Sequence, residues 1–232
     1  MLKVGIVGFG FMGRMHYRCW RALAGATVTA VCDADPHALD EAAKSRGNIA
    51  GAEGDADPTG VTIYGDFEEL LRQEQLDAVS ITVPTHLHAK ATIAGLEAGW
   101  HVLCEKPMAL TTSDCREMVQ AASAAGKQLF IGHVLPFFPE YAHAVQLIRS
   151  GQYGRLLGGT FKRVISDPTW LKDFWDPNRC GGPLIDLHVH DAHLIRLLFG
   201  MPTSLVTAGR MRGEVVEYCN TTFNFQDPSL VV

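Results

Sequence analysis

No C-x-x-C pair occurs among the six cysteines, Cys19, Cys32, Cys104, Cys115, Cys180 and Cys219. Scattered through apolar surroundings, they read as small hydrophobes in a reduced, cytoplasmic setting, not as a zinc ribbon or a disulfide framework. The H-E-x-x-H signature of helical zinc proteases is missing as well. No run approaches the ~20 apolar residues needed to span a bilayer, so no membrane partner is expected. The opening "MLKVGIVGFGFMGRMH" starts apolar, but glycines interrupt it and no A-x-A-like cleavage site follows, so a secretory leader is not expected. Positive charge is in short supply. With Lys+Arg at 20 and Asp+Glu at 25, the formal net charge is -5, which argues against a nucleic-acid partner or an anionic surface.

What is present is core material. Hydrophobic residues make up 47% of the 232 and charged residues 19%, so disorder is not expected and one large or two small domains fit. Apolar runs at 2–7, 26–36 (closed by acids and Pro36), 61–66, 76–84, 101–107 and 128–134 read as strands. Helical stretches separate them: "RMHYRCWRALAG", "HALDEAAKSRG", "DFEELLRQEQ" behind an Asp66 cap, "HLHAKATIAGLEAG" and "TTSDCREMVQAASAAGK". Residues 48–60 read as a polar surface loop. Continuous apolar strands alternating with helices predict a doubly wound parallel sheet buried on both faces.

The pattern changes near residue 133. "PEYAHAVQLIRSGQYG" reads as a helix, "RLLGGTFKRVIS" as a longer strand and "GPLIDLHVHDAHLIRLLFG" as one helix ending at Gly200. "SLVTAGRMRG" and "VEYCNTTFNF" read as a β-hairpin. The division expected is therefore residues 1–132 as one domain and 133–232 as a second, with antiparallel strands.

"GFGFMG" fits G-x-G-x-x-G between a strand and a helix, the context in which that pattern has meaning. Gly8 makes the tight turn, Gly10 lets a pyrophosphate approach the backbone, and Gly13 lets helix and strand pack closely. Phe11 and Met12 lie between them at the helix start, where free N–H groups suit phosphates. Asp33 follows ~20 residues after Gly13, where a carboxylate accepts from ribose hydroxyls and repels a 2′-phosphate. NAD is thus expected over NADP, with Asp35 as the alternative acid.

With "GFGFMG", "PTHLH", "HVLCEKP" and "GGPLIDLHVHD" in this order, the chain resembles the glucose–fructose oxidoreductase/inositol dehydrogenase (Gfo/Idh/MocA) family over essentially its whole length. The resemblance implies a Rossmann domain followed by an α/β domain with a largely antiparallel open sheet. That sheet often forms subunit contacts in the family, so a homo-oligomer is expected. It also implies NAD(P)-dependent oxidation or reduction at a hydroxyl of a sugar, cyclitol or related polyol. Matched by residue, Lys106 takes the place of the lysine beside nicotinamide and substrate, with Glu105 as its cofactor-side neighbour. Pro107 falls where many members have an unusual peptide. Pro84, Thr85 and His88 fall in a loop near the nicotinamide, where the family often has Asn in place of Thr85. Asp186 and His190 match the acid and histidine of the substrate domain.

Removing a hydride from an alcohol leaves a hydroxyl proton to be taken up, and histidine is suited to that near neutral pH. His190 is the expected base, with Lys106 bonding the reacting oxygen. Asp186 lies four residues before His190, ~40° away on one helix face and ~6 Å along it. There it could orient the imidazole or bind a hydroxyl. "DLHVHDAH" also allows a metal reading through Asp186, His190 and His193, with His188 pointing away. Trp170, Lys172, Asp173 and Trp175 read as a polyol-binding loop or, equally, a capped aromatic one. Three functions are therefore carried: the dehydrogenase, a non-catalytic NAD-binding sensor or degenerate subunit, and a metal-dependent hydrolase. At the end, "QDPS" reads as a turn and "LVV" as an opening strand, so the second domain is expected to be cut short, with a sheet edge uncovered.

Overall fold

In the computed structural model, β1 (Leu2–Val7) carries Val4, Ile6 and Val7 almost wholly inside. Such a strand needs cover on both faces, and a six-stranded parallel sheet with flanking helices supplies it. The sheet order is β3-β2-β1-β4-β5-β6. The structure describes residues 1–39, 58–169, 171–226, 230 and 231. Of the second helix expected from sequence only the start is described, as a 3-10 turn over Pro36–Leu39, and its remainder and most of the polar 48–60 loop lie outside the described residues.

The sheet is built from β1, β2 (Ala26–Cys32), β3 (Thr62–Tyr64), β4 (Ala78–Ile81), β5 (His101–Cys104) and β6 (Leu129–Ile131). Between strands run α1 (Phe11–Arg21), α2 (Phe67–Gln73), α3 (His88–Glu97) and α4 (Thr112–Ala125). Local chemistry sets their ends. The Asp66 side chain accepts from Glu68 N–H at the start of α2, and Thr111 accepts from Asp114 N–H at the start of α4. Gly126, with φ of 63°, ends α4 in the left-handed conformation that glycine adopts without steric cost. Val79, Ile81, Leu96, Val102 and Met118 form the core between sheet and helices. Each contributes about 1.5–3 kcal/mol of burial. The order 3-2-1-4-5-6 reverses direction between β1 and β4, so the carboxyl ends of these strands open a crevice where ligands bind in such sheets.

The chain divides into two units, Met1–Gly132 and His133–Val232. The second contains α5 (Pro139–Ser150), β7 (Gly158–Gly159), α6 (Gly182–Asp186), α7 (His188–Phe199), β8 (Ser204–Arg212), β9 (Val215–Asn224) and β10 (Leu230–Val231). Its sheet runs β7-β10-β9-β8, antiparallel except for β7 with β10. The hairpin of β8 and β9 forms as expected.

Two expectations fail here. The strand predicted over 155–166 contracts to β7, which pairs through Gly158 with Leu230 and Gly159 with Val231. The single helix predicted over 182–200 is broken at Leu187, with φ −105° and ψ −50°. Leu187 N–H bonds Pro183 O, whereas His190 N–H bonds Leu187 O, one residue closer. Asp186 therefore ends one helix and His190 lies in the first turn of the next, so the one-face geometry of a continuous helix does not hold. Among the described residues no disulfide forms, and no helix is long and apolar enough to cross a membrane.

Candidate functional site

The glycine loop is built by exclusion. Gly8 has φ of 90°, and a Cβ there would lie 2.7 Å from the Thr82 carbonyl. A Cβ on Gly13 would strike the Gly8 carbonyl oxygen. Thr82 Oγ1 donates to that same oxygen at 2.6 Å, so strand β4, the loop and α1 close on one another. Gly10, the N-cap of α1, is different: a Cβ there would meet nothing within 4 Å. It borders open space, as a residue must if a phosphate is to approach the backbone. Phe11 and Met12 open α1, whose first turn carries no acid to offset its positive end. Phe9 anchors the loop from below, edge-on to Tyr17 with ring centroids 5.6 Å apart.

Asp33, at the end of β2, reaches back to this loop. Its Oδ2 accepts from Phe9 N–H at 2.5 Å, and its Oδ1 accepts from Asp35 N–H at 2.9 Å. Asp35 is exposed and turns to His37 N–H instead. Of the two acids, Asp33 is the one at the glycine loop. Each of its oxygens retains a lone pair for a further donor.

Lys106 stands just beyond the carboxyl end of β5, and its peptide to Pro107 is cis. His88 and Glu105, expected from the sequence to border a cofactor, are both buried. His88 is 2% exposed, with Nδ1 2.7 Å from Pro107 O and Nε2 2.9 Å from Val83 O. It ties the loop after β4, with its exposed Pro84 and half-buried Thr85, to the Lys106–Pro107 corner. Glu105 is 8% exposed; its Oε1 lies 2.9 Å from His16 Nε2 and its Oε2 accepts from Lys106 N–H at 3.1 Å. Burial is the largest single influence on this carboxyl and pushes its pKa up. The hydrogen bond and charge of His16, with the Lys106 N–H and ammonium, outweigh burial and hold the pKa below the usual carboxylate range. His16 escaped the sequence reading. The one signal was its position, three residues past Gly13, in "GFGFMGRMH".

Burial holds the His88 imidazole below its ordinary range, against the pull of the two carbonyls and of Glu105. The unfolded chain therefore binds a proton that the folded site resists, and stability falls as pH drops below ~6.5. Urea midpoints at pH 7.5 and 5.5 check this. His88→Gln, which cannot titrate, is expected to show a smaller loss over that interval than the wild-type chain; an equal loss would refute the assignment.

In the second unit, Asp186 and His190 are both half-buried, on either side of the break at Leu187. The next residue, Asp191, is gripped by the Arg163 fork, with Nε to Oδ2 and Nη2 to Oδ1 both at 2.8 Å. This pairing raises the Arg163 pKa and fixes the first turn of α7. His193 stacks on His133 at 4.2 Å, and His188 stacks on Phe223 at 6.0 Å. Burial pushes both His188 and His193 down in pKa. Among the described residues, no three His, Cys, Asp or Glu side chains form a group able to hold a metal. Trp175 donates to Asp167 at 2.9 Å and lies under the Arg212 guanidinium at 4.2 Å, while Asp173 pairs with Arg179. Trp170 lies outside the described residues.

Comparison with known proteins agrees with this architecture. Residues 2–133 match the family described as oxidoreductase family, NAD-binding Rossmann fold, and residues 141–232 match the GFO/IDH/MocA C-terminal domain. An oxidoreductase of Streptococcus pneumoniae is 30% identical over 212 residues, 90% of this chain and 53% of its own length. Inositol 2-dehydrogenase 1 of Saccharopolyspora erythraea is 30% identical over 233 residues, 100% of this chain and 63% of its own. The solved myo-inositol 2-dehydrogenase of Lactobacillus plantarum superposes with a TM-score of 0.83 at 23% identity, over 99% of this chain and 68% of that one, a likeness of fold alone. The chain spans about half the length of the first curated relatives it matches.

Proposed function

The chain belongs to the Gfo/Idh/MocA family of oxidoreductases, and from that premise we propose that it serves NAD(P)-dependent hydride transfer at a CH–OH carbon of a sugar, cyclitol or related polyol. NAD is the cofactor in this reading, with NADP disfavoured. The carrying observation is the Asp33 carboxylate bonded to the glycine loop at Phe9, beside the open space at Gly10. A negative charge so held accepts from ribose hydroxyls and opposes a 2′-phosphate. Gly8, Gly10 and Gly13, with the N–H groups of Phe11 and Met12, would hold the pyrophosphate. Pro84 and Thr85 would border the nicotinamide. The inositol dehydrogenases among the relatives support a polyhydroxylated substrate.

A bound nicotinamide would supply the hydride acceptor. Lys106 donates a hydrogen bond to the reacting oxygen and favours its alkoxide character. His190 takes the hydroxyl proton in oxidation and returns it in reduction. Asp186 orients the imidazole or binds a neighbouring hydroxyl. We assign oligomer formation to the hairpin sheet of the second unit, where all nine residues of β8 are exposed, Leu205, Val206 and Met211 among them. A solution mass of one 25.3 kDa chain would refute that assignment.

The test of function is absorbance at 340 nm with NAD or NADP and a panel of inositols, aldoses and sugar acids, beside calorimetric titration of both dinucleotides. Binding and reduction of NAD in preference to NADP are expected. Binding without turnover on any polyol would favour a non-catalytic dinucleotide-binding subunit, and no binding would overturn the reading.

A further inference from the structure

The buried carboxylate of Glu105 joins two elements far apart in sequence. Its Oε1 meets His16 Nε2 on α1 at 2.9 Å, across a separation of 89 residues. Its Oε2 receives the Lys106 backbone N–H at 3.1 Å, while its own backbone N–H is fixed to Ile81 O of β4 at 2.9 Å. The carboxylate lies against Gly132, where a Cβ would come within 3.1 Å of both oxygens. His16 has no other polar tie among the described residues, because its Nδ1 is buried without a hydrogen-bond partner. A carboxylate carries no proton to give, so the ring nitrogen facing it must be the donor. Without His16, Oε1 would remain buried with one side unsatisfied, and the carboxylate would be driven to rotate or take a proton.

We propose that His16 is a positioning residue for Lys106, acting through Glu105. It links the helix that begins at the glycine loop to the corner carrying the reactive ammonium. Placement of α1 is thereby passed to the Lys106 backbone without His16 touching a ligand. This inference rests on the reading of Lys106 as the group at the reacting oxygen.

The experiment compares wild type with His16→Phe, which keeps ring packing and removes the hydrogen bond. His16→Gln puts an N–H near the position of Nε2. Selective 15N-lysine labelling follows the Lys106 amide, assigned by its loss in Lys106→Arg. In His16→Phe that amide is expected to shift upfield as its bond to Glu105 loosens, and Glu105→Gln is expected to move it too. In His16→Gln it should stay near the wild-type position. In the same samples, His16→Phe should lower kcat roughly 10- to 100-fold with dinucleotide affinity unchanged, and His16→Gln should recover most of it. An unmoved Lys106 amide in folded His16→Phe overturns the proposal. So does a parallel loss of affinity and kcat that glutamine fails to restore, since that marks a structural role only. If the wild-type chain binds no dinucleotide, the functional reading fails, while the amide measurement still decides the role of His16.

Discussion

Lys106→Met is expected to lower kcat by roughly a hundredfold to a thousandfold and to leave dinucleotide affinity close to wild type. Methionine keeps much of the apolar stem and deletes the ammonium. The lost interaction is one that strengthens as negative charge develops on the substrate oxygen, so it weighs on turnover more than on binding. Lys106→Arg should not rescue fully, because a planar guanidinium presents its donors in a different geometry. Steady-state kinetics with calorimetric titration of NAD separates these effects. Turnover within a factor of a few of wild type would remove Lys106 from the chemistry and, with it, the premise on which the His16 proposal stands.

Gly13→Ala should be the most damaging change of a single methyl in the first unit. The added Cβ would occupy the place of the Gly8 carbonyl oxygen, which also accepts the Thr82 hydroxyl. Neither backbone segment can yield without opening the junction of β1, β4 and α1. A stability loss of about 3 kcal/mol is expected, as for overpacking at a site that cannot relax. Dinucleotide affinity should fall below detection, because the same shift misdirects the N–H groups at the start of α1. Gly10→Ala makes the contrast: its Cβ meets no protein atom, so stability should be retained while dinucleotide binding weakens. Urea midpoints and NADH titrations of the pair check this. Equal stability losses in the two variants would contradict the geometry.

Much of the first unit was legible because its signals are local. Apolar runs punctuated by glycines marked the parallel strands. The Asp66 and Thr111 caps and the Gly126 C-cap depend on neighbours a few residues away. Asp33 was found by spacing from the glycine loop, and the structure puts its carboxylate on Phe9 N–H. The second unit was harder to read. Nothing in "PLIDLHVH" marks a break, since Leu187 is a good helix former, and the interruption is a matter of backbone angles alone. The strand expected over 155–166 has β-forming residues, yet only Gly158 and Gly159 join the ladder, because strand pairing depends on partners distant in sequence.

The sequence by itself determined the class of fold, the glycine loop with its acid, and the corner at Glu105-Lys106-Pro107, because each is written in a short window or a fixed spacing. Only the tertiary structure decided which way those side chains face. His88 and Glu105 carry the same polar groups whether they meet a ligand or the protein interior, and a one-dimensional pattern does not distinguish these. Folding brings His16 of α1 to Glu105, and Val83 and Pro107 to His88. Once those groups are out of water, each is driven to find a hydrogen-bond partner inside the protein.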